Sequence, residues 1–172
     1  MSKSKGNVVI PDEYIKKFGA DVVRTYLMFI GPFEQGGDWR DAGIMGPARF
    51  LNRVWDLGNK AKLVNEKEIS PWLHASIKEI TKDIAELKYN TAISRLMIVL
   101  SKLEKEVPAN RKDWEVFLLM LAPLAPFITE ELWEKLGNKY SIHGQGWPKH
   151  NSKYLIQDTT TLIIQINGKL RS

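Results

Sequence analysis

The stretch YNTAISRLMIVLSKLEKE, residues 89–106, decides the fold class, because its apolar residues recur every three or four positions. They are Ile93, Leu96, Met97, Leu100 and Leu103. This spacing follows the turn of an α-helix, whereas a half-buried strand would alternate at every second residue. We therefore predict a helix with one buried side that runs to Glu106. Asn90 carries an N-cap side chain and is predicted to cap this helix.

Helices of the same kind are predicted on both sides of this stretch. An isoleucine-rich stripe follows Ser70-Pro71, and residues 42–64 carry two adjacent apolar stripes, which imply burial over half of that helix. Further helices are predicted at 11–18, 22–30, 114–121 and 127–136, the first and last ended by glycines. The expected fold class is therefore all-α, a helical bundle.

The long helix at 42–64 has a mostly basic outer edge. At about 100° per residue, four charged residues fall in one narrow sector away from the apolar stripes. They are Arg49, Arg53, Asp56 and Lys60. Such an edge is usually a solvated helix face, but it is also suited to contacting nucleic-acid phosphates without distinguishing bases. Arg24, on the preceding helix, would extend it.

The C-terminal residues predict a different local structure. Residues 160–166 are rich in β-branched side chains and run into Asn167-Gly168, a strong hairpin signal. The returning strand would be only Lys169 to Arg171, so we expect a short, truncated β-hairpin. A free strand edge of this kind predicts either a monomer or a weak edge-strand dimer.

Composition excludes several classes of protein. The chain has 172 residues, a formal net charge of +5 and no cysteine, so disulfides and cysteine-based metal sites are absent. Its three histidines are scattered and no metal site is expected. No stretch is apolar enough to suggest a membrane span, and a cytoplasmic location is the expectation.

Three tryptophans in apolar helical stripes are predicted to pack in the core: Trp55, Trp114 and Trp133.

The opening MSKSKGN, residues 1–7, sets two lysines between serines ahead of a glycine. Composition alone favours a solvated terminal tail. The alternative is a phosphate-handling loop, because lysine ammonium groups can neutralise charge that develops on a phosphate chain. The spacing is not that of a P-loop.

Read in order, these segments resemble class I aminoacyl-tRNA synthetases. MSKSKGN resembles the KMSKS signature from its methionine onward, and the similarity continues through RFLNRVW (49–55), YNTAISRLM (89–97) and LAPLAPFITEELWEKLG (121–137). GPFEQ (31–35) and IQINGKLRS (164–172) point to the leucyl group of bacterial type. The same region of a valyl- or isoleucyl-tRNA synthetase, or a helical interaction module without catalytic function, remains an alternative.

The resemblance implies a fragment of an enzyme that activates leucine with ATP and Mg²⁺ and transfers it to tRNA(Leu). Lys3 matches the second lysine of the signature and is expected to contact ATP in catalysis. The remaining residues of the expected ATP loop are Met1, Ser2, Ser4, Lys5 and Gly6. Expected tRNA contacts are Arg49, Arg53, Lys60 and Arg24. No HIGH-like signature lies within these residues, so we expect the fragment alone to be inactive and to hold no bound ligand.

The same resemblance implies three parts. Residues 1–40 would be the KMSKS loop with its connecting helices. Residues 41–150 would be the anticodon-binding helical bundle. Residues 151–172 would be a linker and the start of a C-terminal domain.

Overall fold

The computed structural model describes residues 8–66 and 68–155, together with the backbone of short strands at 165–166 and 169–170. Its α-helices are α1 (Pro11–Phe18), α2 (Ala20–Phe29), α3 (Met45–Lys60), α4 (Pro71–Ala85), α5 (Tyr89–Leu103), α6 (Arg111–Leu121) and α7 (Pro126–Lys135). Its strands are β1 (Leu63–Val64), β2 (Ala109–Asn110), β3 (Gln165–Ile166) and β4 (Lys169–Leu170). The predicted all-α bundle is confirmed.

Helix α5 lies at the centre of this bundle. It packs against α4, α2 and α6, so three neighbours cover its apolar side. The side chains of Ile93, Leu96, Leu100 and Leu103 are completely buried. Met97 is half-buried against the same core, and Ile98, on the opposite side, is 69% exposed. The predicted stripe is therefore the contact surface around which the other helices assemble.

The predicted ends of α5 were wrong at both termini. The helix begins at Tyr89 with Lys88 as its N-cap, so Asn90 lies inside it, and it ends at Leu103. The start is set by the reversal after α4. Leu87 adopts a positive φ of 57°, and the Lys88 amide donates to the Asp83 carbonyl at 2.7 Å. An N-cap residue has a non-helical backbone, but this turn already starts the helix at Tyr89, so Asn90 is helical and cannot be the cap.

Helix α3 is shorter than the predicted 42–64. Beyond Lys60 the chain becomes extended, and β1 pairs in parallel with β2, Leu63 opposite Ala109. The Ala109 amide also donates to the Lys62 carbonyl at 3.0 Å. Because strand pairing needs an extended backbone, the helix cannot continue to Val64.

The predictions for the three tryptophans had different outcomes. Trp114 and Trp133 are buried as expected, but Trp55 is 38% exposed and the core assignment for it was wrong. Its ring lies at the bundle surface, where the Lys135 ammonium sits 3.9 Å from the ring centroid. A cation over the ring face compensates partly for the exposed aromatic surface.

Strands β3 and β4 pair antiparallel, with Gln165 opposite Leu170 and Ile166 opposite Lys169. The predicted hairpin pairing is therefore present. The Asn167-Gly168 turn and residues 156–164 lie outside the described residues. The edge-strand dimer stays a prediction.

Asp21 joins the first part of the chain to the last described helices. It is 8% exposed at the start of α2, and its Oδ2 accepts a hydrogen bond from the Ile128 amide at 2.7 Å. Its Oδ1 accepts from the Phe127 amide at 3.4 Å. Helix α7 has no side-chain cap of its own, so Asp21 serves as its N-cap from another helix. Burial raises the pKa of Asp21 despite these two donors, which lower it.

We expect Asp21→Ala to lower the free energy of unfolding by about 1–2 kcal/mol, because two amides at the start of α7 lose their acceptor. Asp21→Asn should cost much less, since it keeps an acceptor oxygen and removes a charge whose burial is unfavourable. Denaturant unfolding measures both. Asp12→Ala, at an exposed position of α1, is the control, and an equal loss there would contradict the capping role.

Candidate nucleic-acid interface

The outer edge of α3 is open to solvent, as its periodicity predicts. Helix α3 packs against α2 and α7 with its apolar sides. The four charged residues of the predicted sector are all exposed: Arg49, Arg53, Asp56 and Lys60. The edge therefore exists as a surface, and the contacts of each side chain determine how much of its charge is available to a partner.

Arg53 is tied to α5. Its Nε donates to Glu104 Oε1 at 2.9 Å, and its Nη2 donates to the other oxygen of Glu104 and to Ser101 Oγ, the latter at 2.9 Å. This bidentate pairing raises the pKa of Arg53. A guanidinium has five N–H donors, so the two on Nη1 remain for another acceptor. Arg53 is thus a link between α3 and α5 with part of its bonding capacity unused.

The other predicted contacts differ in their surroundings. Lys60 pairs with Asp56 at 2.8 Å, one turn away on α3. The Nη2 of Arg24 donates to the Pro123 carbonyl at 3.3 Å, at the turn between α6 and α7. Arg49 makes no hydrogen bond or ion pair with any described residue. Among the four predicted cations, Arg49 therefore has the most freely available charge.

Two exposed lysines that the sequence analysis did not select are sequence neighbours of Ser101 and Glu104, the two residues that Arg53 contacts. Lys102, near the end of α5, and Lys105, in the turn that follows it, line a shallow hollow of about 580 Å³ with Met97, Ile98 and Ser101. Lys102 also lies 4.1 Å above the ring centroid of Trp72. Their i,i+3 spacing, outside the buried stripe of α5, could have identified them in the sequence as one exposed basic pair. The sequence near α5 did not show that this pair follows residues in contact with α3. The α3–α5 basic surface is defined here as Arg49, Arg53, Lys102 and Lys105.

The predicted ATP loop, Met1 to Gly6, lies outside the described residues, and the role of Lys3 stays a prediction. The described chain starts at Val8 and enters α1 at Pro11. In residues 8–66 and 68–155, no group of three or more histidine, aspartate or glutamate side chains is placed to hold a metal ion. No helix of that part has both the length and the apolar character needed to cross a bilayer.

Residues 66–172 match the family of the anticodon-binding domain of tRNA ligase, and residues 1–53 match class I tRNA synthetases (M). The chain belongs to the anticodon-binding domain family of tRNA ligases. Its relatives are leucine–tRNA ligases: those of Dehalococcoides mccartyi, Herpetosiphon aurantiacus and Chlorobaculum parvum are 48%, 44% and 43% identical over 99% of this chain. The chain spans 22–23% of the length of these proteins.

A solved structure shares the fold. It is the crystal structure of the ternary complex of an Agrobacterium radiobacter LeuRS with tRNA and LeuAMS, matched with a TM-score of 0.81 and 30% identity. The match covers 99% of this chain and 25% of that one. Together with the leucine–tRNA ligase relatives, it confirms the predicted resemblance to the leucyl group.

We expect Arg53→Ala to lower the free energy of unfolding by up to about 1 kcal/mol, because an exposed bidentate pair contributes no more than that. Glu104→Gln should lose a similar amount, and the loss should shrink in high salt. Denaturant unfolding at low and high salt measures both. Arg49→Ala, one turn away and without an ion pair to any residue that the structure describes, is the control; a loss there as large as in Arg53→Ala would contradict the link.

Proposed function

We propose that this chain is the part of a leucine–tRNA ligase that carries the ATP loop and a tRNA-binding helical bundle. The parent enzyme would activate leucine with ATP and transfer it to tRNA(Leu). One observation carries the proposal: the similarity to leucine–tRNA ligases runs over 99% of the chain, from the lysine segment (MSKSKGN, residues 1–7) through the whole bundle.

In the activation step, the leucine carboxylate attacks the α-phosphorus of ATP, and the bond from that phosphorus to the pyrophosphate oxygen breaks. Negative charge then grows on the departing pyrophosphate. The Lys3 ammonium would stabilise that charge, and fixed positive charge aimed at a leaving group is an effective form of catalysis. ATP would enter as its Mg²⁺ complex. The other loop residues, Met1, Ser2, Ser4, Lys5 and Gly6, would shape the approach to the phosphates.

The α3–α5 basic surface would hold tRNA by its phosphates. The Arg49 guanidinium is exposed and has no ion pair with any described residue. Arg53 offers the two donors on Nη1 that Glu104 and Ser101 leave free. Lys60 would have to exchange Asp56 for a phosphate, which costs little because exposed pairs of this kind are weak. Phosphate contacts position an RNA without selecting its sequence. Arg24 would contribute at the edge of α2.

The three proposed parts of this chain differ in function, although they do not correspond to separate hydrophobic cores. We propose residues 1–40 as the loop and its connecting helices, 41–150 as the tRNA-binding bundle, and 151–172 as a linker into a further domain. Helix α2 nevertheless shares the core of the bundle through Val22, Val23 and Tyr26. We also propose a cytoplasmic location, in keeping with tRNA as the proposed substrate.

We expect the isolated chain to bind tRNA weakly, with an affinity that falls by roughly one decade per tenfold rise in salt for each phosphate neutralised. Arg49→Ala should reduce that salt slope by about one unit without changing stability. Lys139→Ala, an exposed lysine beyond α7, is the control. Fluorescence anisotropy with labelled tRNA at several salt concentrations measures the slope. Binding that does not depend on salt, or no binding at low salt, would sink the proposal for this surface.

In the full-length ligase, we expect Lys3→Ala to slow leucine-dependent ATP–pyrophosphate exchange by about 10²–10³-fold, as the loss of one charge-stabilising donor does elsewhere. The KM for leucine should change little, because the amino-acid pocket is untouched. Lys3→Arg keeps the charge and should retain more activity. Equal losses in exchange rate and leucine binding would indicate misfolding and count against the role of Lys3.

A further inference from the structure

Helix α1 directly follows the lysine segment, yet none of its residues is fully buried. It contacts α2 through the turn at Gly19, whose φ is 88°, and only Tyr14 and Phe18 pack partly against the core. A helix with so little buried surface is free to shift unless other contacts hold it. The contacts of Tyr14 therefore decide where α1 lies.

Tyr14 belongs to a small aromatic cluster. Its ring meets Trp39 edge-on at a centroid distance of 4.7 Å, and Trp39 meets Tyr26 in the same manner at 4.8 Å. Tyr26 is buried on α2, and its hydroxyl donates to the Arg40 carbonyl at 2.8 Å and accepts from the Arg40 amide at 3.0 Å. The buried phenol thus holds the loop that presents Trp39 to α1.

Asp41 completes the connection. Its Oδ1 accepts from the Tyr14 hydroxyl at 2.5 Å and from Trp39 Nε1 at 2.9 Å. These donors lower the pKa of Asp41, so the carboxylate is charged at neutral pH. Asp41 also stands just before α3, the helix that carries Arg49 and Arg53. The four residues Tyr14, Tyr26, Trp39 and Asp41 are named here the α1 clamp.

The start of the described chain lies beside the clamp. Val8, Val9, Ile10 and Glu13 line a hollow of about 410 Å³ together with Tyr14, Trp39 and Asp41. Lys3 lies five positions before Val8 in the sequence, so their Cα atoms cannot be more than about 18 Å apart. Wherever the clamp holds α1, it limits the region that the Lys3 ammonium can reach.

We propose that the α1 clamp positions the lysine segment for its reaction, with Tyr14, Trp39 and Asp41 as positioning residues. The inference rests on the proposed function, in which Lys3 contacts ATP. Its physical basis is that a misplacement of about 1 Å in a catalytic group can cost about a hundredfold in rate. The clamp also joins α1 to the entry of α3, so the ATP loop and the proposed tRNA surface share one anchoring point.

The test uses the full-length ligase and ATP–pyrophosphate exchange. Tyr14→Phe and Asp41→Asn keep the shapes of the side chains and remove the hydrogen bond between them. We expect each to reduce kcat/KM for ATP by about three- to tenfold and Trp39→Leu by about ten- to a hundredfold. The KM for leucine and the melting temperature should change little in the two conservative variants.

Matched controls are available in the same chain. Tyr140→Phe removes a phenol that is 87% exposed and makes no hydrogen bond with any described residue. Asp38→Asn removes a carboxylate from the same loop as Trp39. Both controls should behave as the unchanged enzyme. In the isolated chain, amide exchange at residues 11–18 should quicken in Asp41→Asn and stay unchanged in Asp38→Asn.

A double variant separates positioning from general support of the fold. If the clamp acts through Lys3, Trp39→Leu should cost almost nothing further in a Lys3→Ala background. A full, multiplicative loss there would overturn the inference. If Lys3→Ala alone slows exchange but the clamp variants match their controls, only the inference is wrong. If Lys3→Ala leaves exchange unchanged, the proposed function is wrong and the inference with it.

Discussion

The burial of one side of α5 is the constraint on which the rest of the structure depends. Leu96, Leu100 and Leu103 have no exposed surface, and α2, α4 and α6 are the elements that cover them. Each such side chain contributes about 1.5–3 kcal/mol when removed from water, so no arrangement that leaves this stripe open competes. The remaining helices take their places because they complete this core.

Polar contacts then fix how the helices sit around α5, and they join residues far apart in sequence. Asp21 caps α7 across more than a hundred residues, and Asp113 accepts from the Ser70 amide at 2.8 Å, at the start of α4. Arg95 of α5 holds the buried Asp83 of α4 at 2.6 Å. Buried carboxylates need such donors, since an unpaired one is costly. Apolar burial selects the bundle, and these bonds select one arrangement of it.

The same packing shapes the basic surface. Bringing α5 beside α3 places Glu104 against Arg53 and so partly neutralises the edge that looks most basic in sequence. It also joins that edge to Ser101 and Glu104, whose sequence neighbours Lys102 and Lys105 are exposed. The net charge of one helix therefore differs from the charge of the surface that a partner contacts, because charged side chains of neighbouring helices belong to the same surface. The α1 clamp connects this surface to the start of the chain.

Local periodicity was enough to predict the all-α class, the stripe of α5 and the exposed sector of α3, and β-branched residues ahead of Asn167-Gly168 were enough to predict the paired strands. Each depends only on residues within a few turns of one another. The ordered motifs also identified the family. The end of α3 at Lys60, the exposure of Trp55, the cap of α7 by Asp21 and the partners of Arg53 depended on tertiary structure. Their physical reason is common to all: the atoms that decide them belong to other elements, and only the folded chain brings them within bonding distance.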